Sequence, residues 1–190
     1  MKHIDGVIFD LDGTLVSCEL CFKTMRQEIG CPLDEDILAF VDNLDDDAKQ
    51  IANDTIKRLE LNDAYAATWI TGAQEFIEHL NHLAIPTAII TRNSREASGI
   101  KITNNRIPIK TVITREDAPA KPDPTALINL SNQWQIPPEK LLYVGDYLHD
   151  INIAKNAGVN SALFCEQMIP NYAHLADHVF ENYQSLKALF

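Results

Sequence analysis

The chain opens on a short apolar run, Gly6-Val7-Ile8-Phe9, that ends at Asp10. A brief β-branched and aromatic run without helical period predicts a buried strand. A long stretch with helical spacing alone follows. Cys18, Cys21, Phe22, Met25 and Ile29 fall on one helix face, and Gly30 stops that helix. Ile37, Leu38, Val41 and Leu44 make a second stripe. Ala48, Ile51, Ala52, Thr55, Ile56 and Leu59 make a third, entered through Asp45, Asp46 and Asp47, where a helix N-terminus favours negative charge. Asn62-Asp63 reads as a turn, with a short helix continuing toward Trp69.

From residue 73 onward, strands and helices alternate. Ala73, Phe76, Ile77, Leu80 and Leu83 predict an amphipathic helix, 87–91 a strand, and a polar helix starts at Asn93. A third strand is expected at 111–114. A helix at 124–135 follows, with Asp123 as N-cap and Pro124 at the first helical position. A fourth strand falls at 141–145, a helix at 148–156 closed by Gly158, and a fifth strand at 161–164. This alternation predicts an α/β, Rossmann-like core: a parallel sheet with helices on both faces. Residues 1–15 and 73–190 would form it, and 16–72 would be an all-helical insertion after the first strand. Ligands of such sheets bind outside the carboxyl ends of the strands. Those ends carry Asp10 and Asp12, then Thr91, then Asp146 and Asp150, and the loop holding Lys121 follows the third strand.

Composition narrows the partners. The 190 residues suit one compact domain, or one with a small insertion. Sixteen Lys and Arg against 27 Asp and Glu leave a net charge of −11. That sign argues against non-specific nucleic-acid binding and disfavours anionic membrane surfaces. A small anionic substrate needs a local positive site: a metal, a lysine or a helix N-terminus. Residues 1–15 contain no apolar targeting segment and no run approaches a membrane span, so a cytoplasmic protein is expected. Cys18 and Cys21 are spaced C-x-x-C, but within a helical pattern; with Cys31 and Cys165 they read as buried apolar thiols in a reducing compartment. His149 and the other histidines show no ligand spacing and read as surface or satisfied polar positions.

The strand ends hold the candidate chemistry. Asp10 and Asp12 leave the first strand two residues apart, and Gly13 lets the backbone turn sharply beside a ligand. Two nearby carboxylates can divide labour, one staying ionised as nucleophile or metal ligand and one carrying a proton. Asp146 and Asp150, four apart, place like charges on one face of a helix start. A hard divalent cation with oxygen ligands relieves that repulsion, and magnesium is the usual one in phosphate chemistry. Prolines 119, 122 and 124 hold Lys121 in a stiff, extended loop where it can neutralise an anion. The Thr91 hydroxyl can donate to a phosphate oxygen. Arg92 and Asn93 are candidates to hold the phosphate or the insertion, and Arg26, beside the first apolar stripe, to reach a substrate carboxylate.

In order along the chain, these pieces resemble the haloacid-dehalogenase-like (HAD) hydrolase superfamily. Phe9-Asp10-Leu11-Asp12-Gly13-Thr14-Leu15 looks like its first motif, Thr91 the second, Lys121 the third, and Asp146 with Asp150 the fourth. The resemblance implies a sheet of order 5-4-1-2-3 and a small helical cap like that of the phosphoglycolate phosphatase and β-phosphoglucomutase group. It further implies Asp10 as nucleophile forming an aspartyl-phosphate, and Asp12 as general acid/base. Magnesium would be held by Asp10, the Asp12 carbonyl and Asp146, with Asp150 in or next to the shell. Lys121, Thr91 and backbone N–H groups near Gly13 would hold the phosphoryl oxygens. The expected activity is hydrolysis of a small phosphomonoester, phosphoglycolate-like, with a small phosphorylated metabolite as partner.

Three other readings stand beside it. Mutases of the family carry Gly-Val after the second aspartate, whereas this chain has Gly13-Thr14, which leans toward hydrolysis. Dehalogenating relatives lack the second aspartate, which is present here as Asp12. A binding protein that kept the fold would be expected to have lost the nucleophile.

Overall fold

The structure, a computed structural model, describes residues 3–190, so Met1 and Lys2 of the expected core and leader reading lie outside it. Six parallel strands form one sheet in the order β3-β2-β1-β4-β5-β6. They are β1 (Gly6–Phe9), β2 (Thr87–Ile90), β3 (Thr111–Ile113), β4 (Leu141–Gly145), β5 (Asn160–Phe164) and β6 (His178–Phe180). The five expected strands take the expected relative order. The sixth, outside β5, is a three-residue strand too short for periodicity to mark.

Strand pleating explains the two-faced core. Val7 and Phe9 of β1 pack with Phe76, Ile77 and Leu80 of α4 (Ala73–His82). Ile8, between them, points to the opposite face, against Leu127 and Leu130 of α6 (Thr125–Trp134) and Ile153 of α7 (Leu148–Ala157). All four β1 residues are buried, as a central parallel strand requires. The buried Tyr183 of α8 (Tyr183–Leu186) donates its hydroxyl to Thr14 O at 2.7 Å, pinning the loop that leaves β1.

Three helices lie between β1 and α4: α1 (Phe22–Ile29), α2 (Ile37–Asp42) and α3 (Asp46–Ala66). They enclose their own cluster of Met25, Cys31, Ile37, Val41, Ala52 and Ile56. Gly30 ends α1 in the left-handed region, and the Asp45 carboxylate caps α3 by accepting from Ala48 N–H at 3.0 Å. The turn expected at Asn62-Asp63 does not form, and α3 runs on to Ala66. Asp63 faces inward there, because its charge meets a buried ammonium described below. The chain enters and leaves this insertion through one antiparallel bridge, Val16 with Trp69. Ser17 N–H donates to Thr68 O at 2.7 Å and Ile70 N–H to Leu15 O at 2.9 Å beside it.

Three local readings are corrected. Helix α6 begins at Thr125, and Asp123 accepts from Thr125 N–H at 2.9 Å in a turn ahead of the helix rather than capping it from the N-cap position, which Pro124 holds. The Lys121 loop folds back instead of running extended: Asp123 N–H donates to Ala120 O at 3.1 Å across a cis Lys121–Pro122 bond. Cys31 and Cys165 are buried, but Cys18 is only half-buried and Cys21 is exposed, because the first apolar stripe begins before the helix does.

Candidate active site

The carboxyl ends of β1, β2 and β4 meet beneath the helical insertion, around a cavity of about 530 Å³. Asp10, Asp12, Gly13, Thr91, Arg92, Asn93, Lys121, Asp146 and Asp150 all line it, and Arg26 lines it from the insertion. Every site residue picked out in the sequence therefore reaches one cavity.

Asp10 continues directly from β1, its N–H donating to Val144 O at 2.8 Å. Carboxylate oxygens of Asp10, Asp146 and Asp150 lie within 4.8 Å of one another. Lys121 Nζ is their shared cation, 2.8 Å from Asp10 Oδ1 and 2.7 Å from Asp150 Oδ1. Burial pushes the Asp10 carboxyl up to about 7; Lys121 pulls it down, and Asp150 and Asp12 add to the rise. Burial, then Asp10 and Asp150, likewise raises Asp146 well above the usual carboxylate range. Burial opposes the Lys121 charge, but Asp10 and Asp150 outweigh it and hold the lysine protonated. Three carboxyl groups gather here around one ammonium, more oxygen donors than positive charge. Hard oxygen donors in excess of positive charge suit a divalent cation such as magnesium.

Local backbone makes this crowding possible. Gly13 has φ of +70°, and a Cβ there would collide with the Asp146 carboxylate. A Cβ on Gly145 would strike Asp150. Helix α7 starts at Leu148, so Asp146 precedes it and only Asp150 lies within it. Asp150 Oδ2 accepts from Tyr147 N–H at 3.0 Å, so this side chain both caps the helix and pairs with Lys121. Asp146 makes no such capping bond; it accepts from the Thr14 hydroxyl at 3.2 Å.

Asp12 sits in a different environment. Its Oδ2 accepts from Asn93 Nδ2 at 2.7 Å and its Oδ1 from Lys101 Nζ at 2.6 Å. Lys101, on α5 (Arg95–Asn105), is 0% exposed and bonds Asp63 Oδ2 at 2.6 Å on its other side. Burial works against that ammonium, and the two carboxylates more than offset it. Asp12, Cys18 and Asp63 also converge, but the lysine already lies between two of them. Thr91 Oγ1 accepts from Asn93 N–H at 3.2 Å and keeps its own proton to donate. The Gly13 N–H does not point into the site as expected; it closes a turn onto Val16 O at 2.8 Å.

Arg92 is bonded to the insertion while lining the cavity. Its Nη2 bonds both oxygens of Asp36, at 2.6 and 2.8 Å, and its Nη1 bonds Lys121 O at 2.7 Å. Arg26 Nη1 is engaged with Pro32 O and Glu35 O, each at 2.6 Å, which fixes the guanidinium at the cavity wall. His149 stands 3.4 Å from Asp36, a satisfied polar position. Sequence reasoning passed over Lys101, Asp63, Asp36 and the pair Arg115–Glu60. One signal was present for Lys101: it follows Ala97 and Ser98 at helical spacing, a lysine on a small-residue face that must pack.

Comparison with known proteins agrees with this geometry. The sequence profile of haloacid dehalogenase-like hydrolases matches residues 7–164, spanning every strand-end residue above. A haloacid dehalogenase-like hydrolase domain-containing protein of Arabidopsis thaliana is 30% identical over 176 residues, covering 86% of this chain and 72% of its own. A pyrophosphatase of Bacillus velezensis is 27% identical over 180 residues, covering 85% of this chain and 83% of its own. The crystal structure of a hydrolase from Pseudomonas syringae superposes with a TM-score of 0.81 at 18% identity, covering 97% and 96% of the two chains. Among the described residues, no helix is long and apolar enough to cross a membrane. With residues 7–164 matched end to end and the strand-end aspartates gathered around one lysine, the chain belongs to the haloacid dehalogenase-like hydrolases.

Proposed function

We propose that this hydrolase is a magnesium-dependent phosphatase of a small phosphomonoester, acting through an aspartyl-phosphate on Asp10. One observation carries the reading: two aspartates two residues apart sit in opposite settings. Asp10 lies among carboxylates with one lysine, and Asp12 lies between a lysine and an amide. That split matches a nucleophile beside a metal and a separate acid/base group.

In this reading Asp10 Oδ attacks phosphorus, the P–O bond to the alcohol breaks, and Asp12 gives its proton to the leaving oxygen. Asp12 then takes a proton from water as the water oxygen attacks phosphorus and the P–O bond to Asp10 breaks. Such acid–base help is worth roughly 10²–10⁴ in rate. Lys121 and the Thr91 hydroxyl are the donors for the phosphoryl oxygens. Asp10, Asp146 and Asp150, with the Asp12 carbonyl, would hold magnesium, which offsets the repulsion between a carboxylate and an anionic phosphate. The insertion would act as the cap that excludes water, with Arg26 as its fixed cation for an anionic end of the substrate, as in a phosphoglycolate-like ester.

The test is phosphate release from a panel of phosphoglycolate, sugar phosphates, nucleotides, pyrophosphate and an aryl phosphate, with magnesium and then with EDTA. Release that needs magnesium and disappears in a folded Asp10→Asn variant is expected. Hydrolysis retained by that variant removes Asp10 as the nucleophile. Phosphate moved between positions of a sugar, without release, would favour the mutase reading.

A further inference from the structure

Lys101 is the one lysine of α5, and it pairs with Asp12 as Lys121 pairs with Asp10. Its ammonium, 0% exposed, spans two chain segments, with Asp12 Oδ1 of the β1 loop and Asp63 Oδ2 of α3 each at 2.6 Å. Asp63 is itself fixed, its Oδ1 accepting from Glu19 N–H at 2.7 Å. The helix carrying Lys101 is tied to the same crossing: Asn105 Nδ2 bonds both Lys101 O at 2.9 Å and Ala67 O at 3.0 Å. Asn93 holds the second oxygen of Asp12 at 2.7 Å.

We propose that Lys101, backed by Asp63 of the helical insertion, is a positioning residue that aims the Asp12 carboxylate at the reacting oxygen. The proposal rests on the reading of Asp12 as the general acid/base. A carboxylate has about four lone-pair sites, and Lys101 and Asn93 occupy one on each oxygen. The remaining sites are then fixed in direction, and Asp12 lines the cavity. A buried ion pair is a poor source of stability, since apolar residues of similar volume often do as well. What it supplies here is direction. Because Asp63 comes from the insertion and Lys101 from the core, Asp12 is fully aimed only when the insertion is seated. Proton transfer therefore becomes efficient only over a covered substrate.

The experiment compares the wild type with Lys101→Met, Asp63→Asn and the double variant. The substrates are 4-nitrophenyl phosphate and the best alkyl ester from the panel. Removing a positioned acid/base group costs roughly 10² in kcat, so Lys101→Met is expected to lose about that on the alkyl ester with KM within about threefold. On 4-nitrophenyl phosphate, whose leaving group needs no proton, it is expected to give a burst of one nitrophenolate per enzyme. The phosphorylated Asp10 then waits for a misaimed Asp12. Asp63→Asn is expected to lose about tenfold. The double variant, with both buried charges removed, is expected to regain the melting temperature lost in Lys101→Met while kcat stays low. Recovery of kcat along with stability in the double variant overturns the proposal, as does an equal loss on both esters without a burst. A wild type that hydrolyses no ester sinks the phosphatase reading instead. The crystal structure of the double variant then decides: an Asp12 carboxylate turned away sustains the aiming role, and an unmoved one ends it.

Discussion

Asp10 shows what a single buried carboxyl does to the whole molecule. Its pKa in the folded chain is raised, chiefly by burial, from 3.8 to about 7. Between those values the folded state holds a proton that the unfolded state has lost, so stability falls as pH rises from about 4 to about 7. Asp10→Asn removes that liability, because an amide keeps the shape without the charge. In EDTA the variant is expected to melt at about the wild-type temperature at pH 4 and several degrees higher at pH 7.5. Magnesium is expected to raise the wild type more than the variant. A gap that does not widen with pH, measured by calorimetry, would show that Asp10 is ionised without cost. Lys101 makes the complementary point: an ammonium that would be costly alone is stable between Asp12 and Asp63, and burial marks it as built in rather than stray.

Helix α2 depends on one such residue at its start. The Asp36 carboxylate accepts from Leu38 N–H and Ala39 N–H, both at 3.1 Å, while pairing with Arg92. Burial alone would raise it, but His149, Arg92 and the Ala39 N–H hold it well below the usual carboxylate range. Its stabilisation is therefore present above about pH 4 and lost only in stronger acid. Asp36→Asn is expected to keep the cap bonds and lose the charge pair; Asp36→Ala loses both and costs about 1 kcal/mol more by denaturant titration. Equal losses would mean the capping bonds contribute nothing. The elements that sequence periodicity made legible were those with a clear inside face: β1, β2, β4, α4 and the glycine-ended α1 and α7. The two-residue spacing within Asp10-Leu11-Asp12-Gly13, directly after an apolar strand, likewise placed the core of the site. Strand β6 escaped because three residues carry no period, and α3 was cut short because Asp63 looks like a turn residue until Lys101 is beside it. Polar pairs between distant segments, such as Arg92–Asp36 and Arg115–Glu60, leave no local pattern at all.

At the scale of the molecule, the insertion has its own apolar cluster, separate from those on the faces of the sheet, and polar contacts join it to the core. Cations of the core, Arg92, Lys101 and Arg115, meet anions of the insertion, Asp36, Asp63 and Glu60. Buried pairs of this kind resist salt better than exposed ones, so the insertion is held in place without being fused to the core. Val16 and Trp69, where the chain crosses, pair with each other directly. Topologically the three helices are thus the loop of a hairpin. Replacing residues 17–68 with a two-residue turn is expected to leave the sheet folded and aryl phosphate hydrolysis measurable, with kcat reduced at least as far as in Asp63→Asn. A shortened chain that fails to fold, by circular dichroism, would show that the core needs its cover. The paired crossing also means that a lineage can exchange one roof for another at a single doorway. Such an exchange would keep the strand-end aspartates in place but would have to replace the Asp63 carboxylate that backs Lys101, and a roofless version would open the same aspartates to phosphates carried on the surface of another protein.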